Sequence, residues 1–495
     1  MSVLKLLAAV ILDYTNLTTA FLAVFVFLLI YKMFRRPRNL PPGPRPWPLF
    51  GNLFILSRDK AHLQFTEWTN QYGNVFMIYY GPKPVVVLNG YDTIQEALIN
   101  KAEDFTDRPG MNNSLGIAFA PYGPFWKEQR KFTMAGLRDF GFGKRSLEGK
   151  ILEEADALGR EIVKTEGKPF NILSLLRKAV TNVVCSIVFG ARHEYEDPAF
   201  KTFLQHVDTQ FRTSIVIGQL ARFLRHLPVL GRSARTLLQA KEAMRQFIKL
   251  KVDEHQQDFE PDDIRDFVDL YIQEMRRGQM RRGQRKNFTD QQLVYIVVDL
   301  IIAGTDTTAQ SLYWILLYMI LYPELQEKAQ EEIYRTFGDS APPTTAKRQE
   351  VPFTEAVVWE VQRINSVAPL TIPRCTSNDT VMYGYDIPRG TMVHVNLWSV
   401  LRDPGLWEEP DQFKPERFLD NQGQCVKKDA FIPFSIGRRY CLGTQLAKME
   451  LFMFTTYLLQ HFTFKLPEGD PTPSTVGKLG ISNGARPYEL CAIPK

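Results

Sequence analysis

The sequence predicts one large domain, mainly α-helical with small β-sheets, behind an N-terminal transmembrane helix. Three observations lead there. Residues 17 to 31 (LTTAFLAVFVFLLIY) carry no charge. Beyond residue 50 most segments repeat apolar residues at helical spacing, and β-prone runs are few and short. No second low-complexity linker or repeat follows, so the body reads as one domain although 495 residues at about 150 per domain would suggest roughly three.

The apolar run, extended from Tyr14 to Phe34, spans 21 residues, or about 31 Å of helix, close to the hydrocarbon thickness of a bilayer. A cleaved signal peptide would continue into small residues; here Lys32-Met33-Phe34-Arg35-Arg36-Pro37-Arg38 follows instead. Lys32 can snorkel, and Lys32, Arg35, Arg36 and Arg38 outweigh Lys5 and Asp13, which places the bulk of the chain in the cytosol. Asn16-Leu17-Thr18 is a sequon that would face the lumen too near the bilayer for use. Six prolines between residues 37 and 48 make a stiff, extended spacer. The division expected is 1–36 membrane anchor, 37–50 hinge and 51–495 globular domain.

The first β-prone runs are Val75–Tyr80 and Val85–Leu88, followed much later by Val381–Ile387 and Met392–Asn396. The clearest helix is Asp290 to Leu321, opened by Thr289 or Asp290 as cap and stopped before Pro323. Before it, Arg276 to Lys286 holds six basic residues in eleven, a solvated loop unless it touches nucleic acid or lipid headgroups. Between Ile215 and Leu230, apolar residues mix with Arg222, Arg225 and His226, a composition that can dip into a bilayer.

With 45% hydrophobic and 23% charged residues the chain is neither disordered, collagenous nor disulfide-stapled. A net charge of 60 − 54 = +6 is too mild to imply nucleic acid. Five cysteines at 185, 375, 425, 441 and 491 form no close pair, in keeping with a reducing compartment. No GxGxxG follows a strand, and Gly141-Phe142-Gly143 lacks a third glycine, so no dinucleotide domain is evident.

Phe434-Ser435-Ile436-Gly437-Arg438-Arg439-Tyr440-Cys441-Leu442-Gly443 is the most informative stretch. A glycine-bearing loop delivers one cysteine to the start of an amphipathic helix, Leu442 to His461. The helix N-terminus and adjacent arginines favour a thiolate, the form that ligates a metal. Gly437 and Gly443 let something flat approach the backbone.

This stretch resembles the haem-binding loop of the cytochrome P450 superfamily, FxxGxRxCxG, at every fixed position. The resemblance implies the P450 fold, with 51–495 as a haem-thiolate catalytic domain, Cys441 as the ligand of a haem b iron and Arg439 on a propionate. Three further motifs recur in the family's order. Glu360-Val361-Gln362-Arg363 matches ExxR, and Pro415-Glu416-Arg417-Phe418 matches the PERF region, so Glu360, Arg363 and Arg417 are implied to lock together as structural residues. Ala303-Gly304-Thr305-Asp306-Thr307-Thr308 resembles the oxygen-activation motif. Its glycine and threonines are poor helix formers, and a local distortion facing a ligand is expected. By resemblance Asp306 and Thr307 relay protons. Trp126-Lys127-Glu128-Gln129-Arg130 matches WxxxR; Trp126, Arg130, Arg374 and Arg108 are implied as further propionate partners. Ala303, Thr307, Ala368, Ile372 and Ile481 are implied to line the distal pocket.

The match covers the chain after residue 37 and is similar to the vertebrate drug-metabolising family of microsomal members, particularly its amine-oxidising subfamily: Tyr122-Gly123-Pro124, Asp266-Phe267 and Pro487-Tyr488-Glu489-Leu490-Cys491 carry the likeness. Asp299 matches that subfamily's amine-binding acid, but Ile215-Val216-Ile217 replaces its second acid. The resemblance implies a monooxygenase in the endoplasmic reticulum membrane, single-pass with its catalytic domain cytosolic. It would act on a lipophilic xenobiotic, fatty acid or steroid, with NADPH electrons from NADPH-cytochrome P450 reductase and cytochrome b5 as a second partner. Lys127, Lys131, Arg138, Lys144, Arg145 and Arg438 are expected to steer the reductase. Two other readings of the same loop are an isomerase of hydroperoxides and a non-enzymatic haem or gas carrier. An intact Asp306-Thr307 pair disfavours the first; substrate-stimulated NADPH use would exclude the second.

Overall fold

The computed structural model describes residues 16–25, 39–109, 115–142, 144–213, 221, 225, 230–280 and 287–495. Most of the anchor, the start of the hinge, nearly all of 215–230 and the second half of the basic stretch 276–286 lie outside these residues; its first half, 276–280, is helical rather than the loop expected.

The architecture is mainly helical with small sheets. The longer helices, in chain order, are α1 (Ala61–Tyr72), α2 (Pro124–Asp139), α3 (Glu148–Val163), α4 (Leu173–Val188), α5 (Pro198–Arg212), α6 (Leu230–Gln257), α7 (Phe267–Met280), α8 (Asp290–Leu321), α9 (Pro323–Phe337), α10 (Pro352–Ile364) and α11 (Thr444–His461). Helix α8 has the bounds expected from sequence. Thr289 caps it by accepting from Gln292 N at 3.1 Å, and Pro323 opens the next helix. At about 1.5 Å per residue its 32 residues span roughly 48 Å.

Among the described residues α8 is the one helix long and apolar enough to cross a membrane, but it runs through the core, packed by α4 and α11. Gly304 is what lets α4 come so close: a Cβ there would meet Val184 Cγ2 at 2.8 Å. The N-terminal helix Asn16–Phe25 is apolar and short, and it exposes Leu17, Phe21, Leu22 and Phe25.

The strands are β1 (Val75–Tyr80), β2 (Lys83–Leu88), β3 (Arg374–Cys375), β4 (Thr380–Met382), β5 (Tyr385–Ile387), β6 (Met392–Val395), β7 (Phe462–Lys465), β8 (Lys478–Leu479), β9 (Asn483–Gly484) and β10 (Cys491–Pro494). The main sheet has the order β1-β2-β6-β3. β1 and β2 form an antiparallel hairpin, β6 joins β2 in parallel with Val86 opposite Val393, and β3 sets Arg374 opposite Val393. The expected run Val381–Ile387 is two strands, turned at Tyr383 and Gly384, both at positive φ as a two-residue hairpin turn requires.

Candidate functional site: a cysteine loop beside an arginine cluster

Cys441 stands at the end of the glycine loop, two residues before Gly443, which precedes α11. Its N–H donates to Phe434 O at 3.0 Å, and its carbonyl accepts from Thr444 Oγ1 at 2.8 Å. Gly437 is required: φ is +77°, and a Cβ would meet Leu98 O at 2.3 Å. Beside Gly443 the nearest atom to an added Cβ is the Cys441 Sγ, at 3.8 Å. The helix starts at Thr444 rather than Leu442.

The groups that favour the thiolate differ in one respect from the expectation. Surrounding protein atoms desolvate the Cys441 thiol and push it up although the residue keeps exposed surface, opposed by the Gly443 N–H, the Thr444 hydroxyl and the charge of Arg130. The helping arginine therefore comes from α2, not from the loop itself. Arg439 turns inward, donating to Thr106 O, Ile117 O and Ala120 O at 3.1, 3.2 and 2.7 Å. Arg438 turns outward to Glu103 at 3.0 Å and to the Tyr122 hydroxyl. A coordinated metal deprotonates a thiol outright.

The implied propionate partners do gather. Arg439 stacks on the Trp126 ring at 4.0 Å, and the Trp126 indole N–H donates to Ile117 O at 2.9 Å. Arg130 donates to Tyr440 O at 2.8 Å. Arg108 holds Ala118 O, Ile372 O and Pro373 O at 2.9, 2.6 and 2.8 Å. Arg374, on β3, is 1% exposed, reaches Phe105 O at 3.4 Å and leaves its Nε without a partner.

Burial lowers all four guanidiniums, Arg108 to about 10 and Arg439 to about 9. For Arg374 the charges of Arg108, Arg439 and Arg130 act in the same direction as its burial. All stay protonated at neutral pH. Of the nearby carboxylates, Asp107 accepts from the backbone N–H of Arg108 and Tyr122, and Asp299 from those of Ile117 and Ala118. A cationic cluster with an orphaned buried donor beside one cysteine fits haem, whose two propionates supply the missing negative charge.

On α8 the expected distortion is absent; the helix is continuous through residues 303–308. Thr305 and Thr307 instead bond back to Ile301 O and Ala303 O, at 2.7 and 2.6 Å. Ala303 is exposed and Thr307 half-buried on one face, whereas Asp306 is wholly buried on another. Asp306 is not beside Thr307's hydroxyl. Its Oδ1 accepts from Arg177 Nε and Nη2 at 3.0 and 2.6 Å, and its Oδ2 from Ser482 Oγ at 2.6 Å.

Sequence reading missed Arg177 and Ser482. A signal existed for the first: a basic residue inside the apolar helix Leu173–Val188 is rarely buried without an anionic partner.

Asn483 N donates to Val367 O at 2.8 Å, bringing the Ile481 turn beside Ala368. Ile372 and Ile481 keep 40% and 38% exposure, high for isoleucines within the domain. Asp299 holds the neighbouring loop, its Oδ2 accepting from Ile117 N and Ala118 N at 2.8 and 2.9 Å. Burial raises its carboxyl to about 6, against the pull of those two amides.

Helical fold, cysteine loop and arginine cluster together define a haem-thiolate protein. The family model described as Cytochrome P450 matches residues 41–492. Human cytochrome P450 2U1 is 39% identical over 489 residues, covering 92% of this chain and 89% of that protein. Human cytochrome P450 2J2 is 40% identical over 499 residues, with 99% and 98% covered. Cytochrome P450 2D27 of Mesocricetus auratus is 41% identical over 489 residues, with 96% and 97% covered. The chain belongs to the cytochrome P450 family, haem-dependent monooxygenases with a cysteine-ligated iron that draw electrons from NADPH through a reductase. These identities are level, so the leaning toward one amine-oxidising subfamily is not supported by similarity.

Proposed function

We propose that this protein is a single-pass monooxygenase of the endoplasmic reticulum membrane, its catalytic domain cytosolic. It inserts one atom of O₂ into a lipophilic organic molecule, with NADPH electrons from a separate reductase. The observation that carries this reading is the cationic cluster of Arg108, Arg130, Arg374 and Arg439 beside Cys441, with the buried Arg374 Nε left without a partner.

Cys441 would ligate the iron, the four arginines would hold the propionates, and Trp126 would support Arg439 through its ring face. Gly437 and Gly443 keep the loop backbone clear. When bound, the haem supplies reductive activation of O₂, with the thiolate pushing electron density toward O–O cleavage. The chain's own share is proton management and enclosure. Thr307 Oγ1 donates to Ala303 O, so its lone pairs are free to accept a proton donor on the exposed face of α8. Asp306 is the acid within reach of that turn once it leaves Arg177 and Ser482. Ala303, Ala368, Ile372 and Ile481 offer small or apolar surface to a greasy substrate such as a xenobiotic, fatty acid or steroid. Asp299 spends its Oδ2 on two backbone amides, and a basic amine is not the substrate class this reading favours.

The domain divisions 1–36, 37–50 and 51–495 go with this reading. Exposed Leu17, Phe21, Leu22 and Phe25 suit lipid, and at the end of the hinge and just past it Trp47, Leu49, Phe50 and Phe54 are exposed as well. On α2, Lys127, Lys131 and Arg138 share one exposed face, with Lys144 and Arg145 exposed just beyond. That face suits an acidic flavoprotein domain, with cytochrome b5 as a second electron donor.

The test is spectral and enzymatic. Cys441→Ser should lose the thiolate-type spectrum of the reduced CO complex. The wild type, reconstituted with reductase, should show lipophilic compounds that shift the spin state and stimulate NADPH use. A wild type without that spectrum, or with NADPH use that no spin-shifting compound changes, would overturn the reading.

A further inference from the structure

We propose that Arg177 is a positioning residue that ties Asp306 to helix α5, so that the placement of α5 decides whether the Asp306 carboxylate is held away from Thr307. This rests on the reading that Asp306 and Thr307 pass protons.

Both oxygens of Asp306 lead to the last turns of α5, by separate routes. From Oδ1 the route runs through Arg177 on α4, whose Nε and Nη2 donate to it while Nη1 lies 2.7 Å from Asp208 Oδ1 on α5. The two links differ in quality. Those to Asp306 are directed hydrogen bonds; the one to Asp208 is an ion contact, close enough in distance but without hydrogen-bond angles. Asp208 is completed by Arg212, whose Nε lies 2.6 Å from Oδ2.

From Oδ2 the route runs through Ser482 Oγ at 2.6 Å. The neighbouring Ile481 N donates to Phe211 O at 2.9 Å, in the last turn of α5. Gly480 makes that contact possible, because a Cβ there would sit 2.0 Å from Phe211 O.

Asp306 and Thr307 are adjacent in sequence but about 100° apart around the helix. The carboxylate cannot serve Thr307's face while both partners hold it. Two carboxylates also share one largely buried guanidinium, so whatever draws Asp208 away leaves Arg177 to Asp306 alone. A movement of α5 that shifts Asp208 and Phe211 together therefore reaches both oxygens. By thermodynamic reciprocity, changing Asp306 must alter how firmly α5 is held.

That reciprocity gives a test without turnover. In the resting holoprotein, hydrogen exchange should quicken for amides 203–212 in Asp306→Asn, by a factor of about 5–150 if the coupling is of ordinary allosteric size. Amides of α3 should not change. Exchange in α5 within twofold of wild type would overturn the coupling.

A second variant tests the positioning role. Asp208→Asn lies at the partly exposed edge of the network and should fold. It should raise the fraction of electrons lost to hydrogen peroxide and shift the pH profile of coupled turnover. Arg177→Lys should restore the fold relative to Arg177→Ala but not the coupling, since an ammonium cannot span both carboxylates. An unchanged peroxide fraction and pH profile in Asp208→Asn would overturn the positioning role. If Asp306→Asn and Thr307→Ala both leave coupling untouched, the proton-relay reading itself fails, whatever the exchange experiment gives.

Discussion

The Arg363 guanidinium grips the Glu360 carboxylate through two hydrogen bonds, Nε to Oε2 at 2.7 Å and Nη2 to Oε1 at 2.8 Å, and neither side chain has any exposed surface. Arg417 adds a third contact, Nε to Glu360 Oε1 at 3.0 Å, while Arg363 Nη1 holds Leu401 O and Pro410 O at 2.9 Å each. An exposed pair at this spacing would contribute only a few tenths of a kcal/mol. Buried, the loss of one partner strands a charge at a cost of about 3–5 kcal/mol. Glu360→Ala and Arg363→Ala should each lower Tm sharply and reduce the yield of haem-bearing protein. Arg363→Lys should be nearly as damaging, because one ammonium cannot make both bonds and reach two carbonyls. A Lys variant with wild-type Tm would show that the geometry is dispensable.

Asp299 and Gly116 make a pair whose energetics can be separated by a double-mutant cycle. Gly116 has φ +78°, and a Cβ on it would sit 2.3 Å from Asp299 Oδ2. Gly116→Ala should therefore destabilise through both backbone strain and displacement of the carboxylate. Asp299→Ala should cost about 1–3 kcal/mol by leaving the Ile117 and Ala118 amides without an acceptor. Together the two should cost less than their sum by at least about 0.5 kcal/mol, since contacting residues couple. Additive losses in chemical unfolding would mean that Asp299 does not hold this loop.

What could be read from sequence follows the range of the interaction that fixes each feature. Periodicity and capping are local, so Asp290–Leu321 and Val75–Tyr80 were legible to the residue. The cysteine loop and the Glu360–Arg363 pair were legible as motifs, because their chemistry lies within ten residues. The Arg177–Asp306 bond joins residues 129 apart, and no periodicity says which helix face meets which. The same limit hid one reason for Gly304, the close approach of α4. It also hid the inward turn of Arg439 and the outward turn of Arg438, since alternation in a loop does not set side-chain direction.

Reduction by the flavoprotein partner should depend on charge. Lys127 and Lys131 lie one turn apart on α2, and both are exposed. Lys127→Glu/Lys131→Glu should slow the first electron transfer at low ionic strength by about tenfold, through loss of electrostatic steering. Raising salt should slow the wild type and narrow that gap, because the Debye length falls to about 8 Å at 0.15 M. Arg438→Glu should have less effect, as its charge is already paired with Glu103. Stopped-flow reduction rates across a salt series test this; a wild-type rate independent of salt would remove the docking face.

Glu450 sets a pH-dependent penalty on the resting fold. It is wholly buried on α11, accepts from Thr308 Oγ1 at 3.3 Å, and its Oε1 has no hydrogen-bond partner. Burial pushes its carboxyl well above the usual range, with only the Thr308 bond opposing. The folded protein therefore keeps a proton that the unfolded chain releases above about pH 4.5. Stability from this group is full below that pH and is lost as pH rises toward the folded value, by about 1.4 kcal/mol per unit. Glu450→Gln mimics the protonated acid and does not titrate. It should match wild type near pH 4.5 and gain a Tm advantage that widens as pH rises above about 5. A Tm difference that stays flat across that range would show that Glu450 is ionised in the folded state, held by a cation the described residues do not supply.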